Sequence, residues 1–358
     1  MGYLLLHPED LDGLVSMADA VDAIEKAYAG AAAFPVINAP RRRIHSPASV
    51  RFNTFPGGIH ELGVIGLASH AEVVTQDGPI QHFGNREHQI CLLHDSNDSH
   101  LLAILIGAIS EKDIGYTTQT ALRTGATSGV GFRQLARKDA KTVGLFGAGN
   151  QAVTQLLALK SVRGIEQVKI STRTRDSRLR FAQMFGPKFG LEIIPVDDPR
   201  EAVRGVDVVI CATNTNVPVL QGDWLEPGQH VASIVGSNIA LVRAGWLDRP
   251  RRELDDRVIE RADVIAVNSR EAVIQDEQGD LFEPMQKGII TIDDMAELGE
   301  IANGSRPGRT SDEQITLHKN NVGMGIGDLA IATCAYRRAL EAGRGTMMEL
   351  PPVGGEPD

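Results

Sequence analysis

The chain has 358 residues, 42% hydrophobic and 23% charged, enough to bury an ordinary core in one or two domains without disulfides or metal. Its 36 basic and 46 acidic residues leave a net charge of −10, which argues against a general nucleic-acid or anionic-membrane binder, because neutralising phosphates needs a basic surface. Cys91, Cys211 and Cys334 are too few and too far apart for a disulfide framework or a metal set, and their apolar neighbours predict buried thiols in a reducing cytoplasm.

The opening MGYLLLHPEDLDGL has no basic segment before an apolar run, so no signal peptide is expected. No stretch reaches the ~18 apolar residues of a membrane span. The segment HPEDLDGLVSMADAVDAIEKAYAGAAA has apolar residues at helical spacing and acidic residues near its start, and predicts a helix. The runs VINAPRRRIHSP, VRFNTFPGG, LGVIGLASHAEVV, HQICLLHD and LLAILIGA predict strands of an antiparallel or mixed sheet. Between the last two, HDSNDSH at 94–100 reads as a hairpin turn and not as a metal cluster. TALRTGATSG at 120–129 opens a helix that continues through VGFRQLAR.

From about residue 140 strands and helices alternate. KTVGLFG, QVKIST, LEIIPV, VDVVICAT, HVASIVG and ADVIAVN predict strands, with helices at NQAVTQLLALKSV, RDSRLRFAQMFGPKF and DPREAVRG among them. That pattern predicts right-handed parallel crossovers and a doubly wound sheet. A last helix, LAIATCAYRRALEAG, closes at Gly343 and returns to the N-terminal region. The tail PPVGGEPD reads as disordered.

In GLFGAGNQA, Gly147, Gly149 and Ala152 make G-x-G-x-x-A between a strand and a helix. Gly147 permits the tight turn, Gly149 lets the backbone approach a pyrophosphate, and Ala152 lets helix and strand sit close. The helix N-terminus, at Asn150 and Gln151, offers free N–H groups and partial positive charge to phosphates. An acidic residue at the end of the second strand would accept from a ribose 2′-OH and indicate NAD. Here Thr172, Arg173 and Thr174 stand at that end, and Asp176 falls in the next helix. An arginine suits a 2′-phosphate, so NADP(H) is preferred, with NAD(H) still possible.

ALRTGATSG, GLFGAGNQA, STRT at 171–174, WLEPGQHV at 224–231, RRELD at 251–255 and GRTSDEQITLHKNNVGMGIGDLA at 308–330 together resemble the ornithine cyclodeaminase/μ-crystallin family in order and spacing. The resemblance implies a homodimer whose α/β fold joins a Rossmann doubly wound parallel sheet, at 126–314, to an α+β substrate-binding and dimerisation domain built from both chain ends, 1–125 and 315–358. It implies hydride transfer between a nicotinamide and the α-carbon of an amino acid or its imine, in a small carboxylate substrate. Arg123 and Thr124 match an Arg-Thr pair between substrate carboxylate and cofactor. Arg42, or its neighbour Arg43, matches a second carboxylate-binding arginine, and Asn321 a position beside the nicotinamide. Thr213 completes the candidate cofactor set. No metal is expected.

Two departures bear on mechanism. Cyclodeaminases carry a lysine where this chain has Ala68, and an aspartate where it has Asn238. No lysine occurs between Arg51 and Glu111, and the segment 239–248 is an insertion. His70 shares the strand face of Ala68 by period two, and its ordinary pKa suits acid–base work. Glu72 on that face could orient it, and His45 near the arginines is a weaker candidate. His70 and Asn238 are therefore the candidate catalytic residues. The expected activity is an NAD(P)H-dependent oxidoreductase of ketimine-reductase or amino-acid-dehydrogenase type. The alternatives are a cyclodeaminase with recycled NAD and a non-catalytic NADPH-binding protein.

Overall fold

Short apolar runs broken by turn residues give the first third of the chain its strands: β1 (Gly2–Leu6), β2 (Arg42–His45), β3 (Val50–Ile59), β4 (Val64–Asp77), β5 (Ile80–Gly84), β6 (Ile90–Asp95) and β7 (Leu101–Ile106). The computed structural model describes residues 2–33, 41–77, 80–84, 88–109, 119–237, 239–243, 245, 248–320 and 323–350. One unit is formed by Met1–Ala23, Phe34–Leu122 and Met324–Asp358, the other by Ile24–Ala33 and Arg123–Gly323. The tail from 351 lies outside the described residues.

In the first unit a single sheet runs from strand Thr346–Glu349 through β1, β7, β6, β4 and β3 to β2, with β5 paired to β4. β1 and β7 are parallel and the other neighbours antiparallel. Both chain ends contribute, as the α+β expectation requires. β1 has no counterpart in the sequence reading; it joins the sheet because Leu4 and Leu6 alternate inward. The predicted N-terminal helix splits at Gly13, where φ is 69°, into α1 (Pro8–Leu11) and α2 (Met17–Ala33). Helix Gly325–Ala342, closed by Gly343 at φ 63°, packs on β3, β4 and β6. Gly57 permits that approach, since a Cβ there would lie 2.9 Å from Ile326 N. Arg338 of this helix donates to both Asp19 oxygens at 2.6 Å and holds that carboxyl down at about 2. The β6–β7 connection is the expected hairpin, tied by Asn97 N–H to Asp95 Oδ1 at 2.7 Å.

The second unit takes up helix α3 (Gln119–Leu135) from Arg123 onward. Then come β8 (Thr142–Phe146), α4 (Asn150–Val162), β9 (Gln167–Ser171), α5 (Arg175–Phe189), β10 (Glu192–Pro195), β11 (Val208–Cys211), β12 (His230–Ser233), β13 (Val264–Val267), β14 (Met295–Glu297) and β15 (Thr316–Lys319). They form one parallel sheet ordered β10-β9-β8-β11-β12-β15-β13-β14. The winding reverses between β8 and β11, and the carboxyl edge at that reversal is where a doubly wound sheet takes its ligand.

Three expectations are corrected. The expected return to the first domain at 315 comes later, because Thr316–Lys319 is a fully buried strand between β12 and β13. Ile24–Ala33, expected with the N-terminal domain, belongs to the second unit, where Gln134 Nε2 donates to Glu25 Oε1 at 2.7 Å and Arg133 pairs with the same carboxylate. Cys91 and Cys211 are buried as expected and burial pushes both thiols up, but Cys334 is only half-buried on its helix.

Candidate active site

The glycine turn is built as its spacing predicts. β8 runs into Gly147, whose φ of 111° suits glycine, and a Cβ there would overlap the Ala212 carbonyl. Gly149 is different. Its backbone is extended, and among the described residues a Cβ would meet nothing within 4 Å. Neither conformation nor internal packing requires a glycine there; an approaching ligand would. Gly149 is also the N-cap of α4 and supplies no side-chain cap, so the first N–H groups of the helix, at Asn150 and Gln151, are left for water or an anion. Ala152 is fully buried against the sheet. These residues fit a dinucleotide.

At the end of β9 Arg173 is exposed and, among the described residues, makes no ion pair. The two threonines beside it are already engaged. Thr174 caps α5, accepting from Ser177 N at 3.3 Å, and Thr172 Oγ1 donates to Thr174 O at 2.8 Å. Buried Arg178 donates to Thr172 O at 3.2 Å and pairs with Asp197, so the turn that presents Arg173 is fixed from below. No acidic residue stands at the strand end itself.

The loops after β11 and β12 converge on a carboxylate that the sequence reading gave no role. Glu253 Oε1 accepts from Thr213 N at 2.6 Å and from Thr213 Oγ1 at 2.7 Å. Its Oε2 accepts from Ser233 Oγ at 2.7 Å and from the Ile234 and Val235 amides at 3.0 Å. Thr213, expected at the cofactor, is held in place by this carboxylate. Lys319 Nζ, fully buried, donates to Ser233 Oγ at 2.8 Å and pairs with Asp280 at 2.5 Å. Removing one member of such a pair typically costs about 3–5 kcal/mol. Burial pushes the Glu253 carboxyl up, Lys319 pulls it down, and Asp280 adds to the rise. The sequence did not mark this cluster, because RRELD and TLHK sit among other charged and polar residues.

Arg123 is buried on α3, its Nη1 3.3 Å from Thr124 Oγ1. A Cβ on Gly323 would come within 2.6 Å of the Arg123 guanidinium carbon, so that glycine leaves the fork its room. Asn320 Nδ2 donates to Thr124 O and to Ser128 Oγ, both at 2.9 Å. Asn268 Nδ2 donates to Asn320 Oδ1 at 2.7 Å and its Oδ1 accepts from His318 Nε2 at 3.0 Å. Burial lowers the His318 pKa to about 3, so the ring stays neutral and the chain of bonds keeps its polarity. Asn320 therefore anchors the Arg123–Thr124 turn of the helix. Asn321 and Asn238, both expected at the site, lie outside the described residues.

In the first unit, strand register gathers a second cluster. Arg43 stands opposite Asn53 and Asn53 opposite His70; Arg51 stands opposite Glu72, and Phe55 opposite Ala68. Paired residues share a face, so Arg43 joins His70 while Arg42, the residue first expected, points to the other side and is exposed. Arg43 Nε donates to Asn53 Oδ1 at 3.2 Å, which turns Asn53 Nδ2 toward His70 Nε2 at 3.3 Å and Glu72 Oε1 at 3.3 Å. Arg51 Nε donates to Glu72 Oε1 at 2.9 Å. The His70 ring stacks on Phe55 with centroids 5.7 Å apart. Ala68 is fully buried between Phe55 and Cys91, with no ionisable group at its own position. His45 faces Arg51 at the end of β2; burial and then Arg51 lower its pKa. Asn53 and Arg51 were missed in the sequence, although antiparallel pairing of RFNTF with ASHAE would have found them.

Comparison with known proteins gives the family. The family model described as ornithine cyclodeaminase/mu-crystallin matches residues 4–343. A delta(1)-pyrroline-2-carboxylate reductase of Bacillus cereus is 36% identical over 262 residues, 73% of this chain and 74% of that protein. The ketimine reductase mu-crystallin of Mus musculus is 31% identical over 68% of this chain and 67% of its own. The structure of Thermococcus litoralis delta(1)-pyrroline-2-carboxylate reductase in complex with NADH and L-proline superposes with a TM-score of 0.78 at 32% identity, covering 96% of this chain and 99% of that one. The chain belongs to the ornithine cyclodeaminase/mu-crystallin family.

Proposed function

We propose that this protein reduces the C=N bond of a cyclic imino carboxylate to the corresponding amino acid, with NADPH preferred over NADH. The broader class is firm: it is an NAD(P)-dependent oxidoreductase acting on the C–N centre of a small carboxylate, as its reductase relatives indicate. The observation that carries the finer reading is the open glycine turn at 147–149 followed, at the next strand end, by Arg173 instead of a carboxylate. An uncapped helix N-terminus suits the pyrophosphate, and an exposed guanidinium suits a 2′-phosphate.

When bound, the reduced nicotinamide supplies the hydride for the imine carbon. The residues of this chain supply the rest. Arg123, with Thr124, holds the substrate carboxylate through a fork matched to two oxygens. Arg43 replaces Arg42 as the second candidate for that role. His70 delivers the proton that the nitrogen gains, and Asn53, itself held by Glu72, orients its ring. The balance is imine plus NADPH plus one proton giving amine plus NADP+. A single general acid typically contributes about 10²–10⁴-fold. A cyclodeaminase is disfavoured because Ala68 leaves no ionisable group where that chemistry has its lysine.

The exposed face of the first sheet carries Ile44, Phe52, Ile65 and Ile90, each at least 40% exposed. An apolar face of this kind supports a homodimer. No helix among the described residues is long and apolar enough to cross a membrane.

The test is oxidation of NADPH and NADH against a panel of cyclic ketimine carboxylates and of 2-oxo acids with ammonia or methylamine. Turnover faster with NADPH is expected. Tight NADPH binding with no turnover on any member would replace the reading with a non-catalytic cofactor-binding protein.

A further inference from the structure

The run Arg-Pro-Arg-Arg-Glu at 249–253 sets adjacent guanidiniums in different situations. Arg252 is buried and paired twice, Nη1 with Glu283 at 2.8 Å and Nη2 with Asp256 at 2.6 Å. Arg251 is half-buried, and among the described residues its side chain makes one hydrogen bond, from Nε to the neutral Asn216 Oδ1 at 3.2 Å. Burial lowers its pKa, and among the described residues it makes no ion pair. A cation drawn partly out of water without a counter-ion is costly. Its two terminal amino groups are left in the fork geometry that suits a carboxylate or a phosphate.

The position of that fork is fixed by the fold. Arg251 N–H donates to Ser237 O at 3.0 Å, in the loop after β12. Asn216 lies in the loop after β11. Two residues along, Glu253 grips Thr213 in one of these loops and Ile234 and Val235 in the other. Its own carbonyl accepts from Val219 and Leu220 at 2.8 and 3.0 Å. Both loops leave the carboxyl edge of the parallel sheet, next to the reversal between β8 and β11. Among the described residues, a Cβ on Gly236 in the second loop would meet nothing within 4 Å, which leaves the backbone there room for an incoming molecule.

We propose that Arg251, steadied by Asn216, binds an anionic oxygen pair of the ligand held at this edge, which rests on the reading of the edge as a cofactor and substrate site. The anion is either a carboxylate of the substrate or a phosphate of the dinucleotide. The two sources separate in one experiment. Wild type, Arg251→Gln and Arg251→Lys are titrated with NADP+ and NAD+. The NADP+-loaded proteins are then titrated with succinate, which has two carboxylates, and L-proline, which has one. A charge-assisted fork contributes about 10–100-fold in affinity.

A loss of that size for succinate alone in the Gln variant places the anion on a second substrate carboxylate. An equal loss for succinate and proline places it on the carboxylate they share, and an equal loss for NADP+ and NAD+ places it on the dinucleotide. The Lys variant, which keeps the charge without the fork, should fall between. All four affinities within twofold of wild type in the Gln variant would overturn the assignment. So would a wild type that binds neither acid while NADP+ and NAD+ binding ignore the substitution. Binding is read without turnover, so failure of the imine-reductase reading shows separately, as no NADPH oxidation beside Arg251-dependent binding.

Discussion

Arg173 and His70 carry the two most specific expectations at the scale of single residues. Arg173 is exposed at the end of β9 on a turn anchored by Arg178. Arg173→Ala should weaken NADPH by about 10–100-fold and leave NADH nearly unchanged, measured as dissociation constants by fluorescence. Equal weakening of both would remove the 2′-phosphate assignment. His70→Ala should lower kcat by about 10²–10⁴-fold with NADPH affinity intact. A normal rate would return His70 to a packing role against Phe55. The common face of Ala68, His70 and Glu72 was legible in the sequence, because a strand alternates with period two whatever it pairs with. The choice between Arg42 and Arg43 was not, since consecutive arginines differ only through the register of β2 on β3. The partner of Thr213 was not legible for a related reason: Glu253 lies 40 residues away along the chain.

The strand–turn–helix from β8 to α4 separates folding from binding within three residues. Gly147→Ala should destabilise, because a Cβ would clash with the Ala212 carbonyl and a φ of 111° strains any other residue by about 1–3 kcal/mol. Gly149→Ala should leave the thermal midpoint unchanged, since no described residue occupies the space its Cβ would enter. It should instead raise the dissociation constants of NADPH and NADH together, by about tenfold or more. Unaltered affinity in a folded Gly149→Ala protein would mean that no ligand approaches that turn. This element was readable because its signals are local: an apolar strand, glycines at fixed spacing, a helical run. β15 was not, because TLHK is short and carries a lysine and a histidine inside the sheet. Only its partners Ser233 and Asp280, far off in sequence, make Lys319 tolerable there.

For the whole molecule, alternation of strands and helices was enough to foresee a parallel sheet, and the use of both chain ends followed from the family resemblance. The mixed pairing of β1 and the place of Ile24–Ala33 depend on tertiary contacts and were not foreseen. If the exposed face around Ile44 and Phe52 joins two copies, Phe52→Glu should shift the protein to monomer in light scattering, because a charge would have to be buried. A dimer that survives the substitution would move the interface elsewhere. The central claim, hydride delivery to an imine carbon, is tested most directly by isotope transfer. NADPH deuterated at both C4 positions is incubated with the protein and a cyclic imino carboxylate, and the amino acid product is read by mass spectrometry. The account predicts one deuterium on the α-carbon. NADPH bound tightly with no deuterium reaching any product would contradict it.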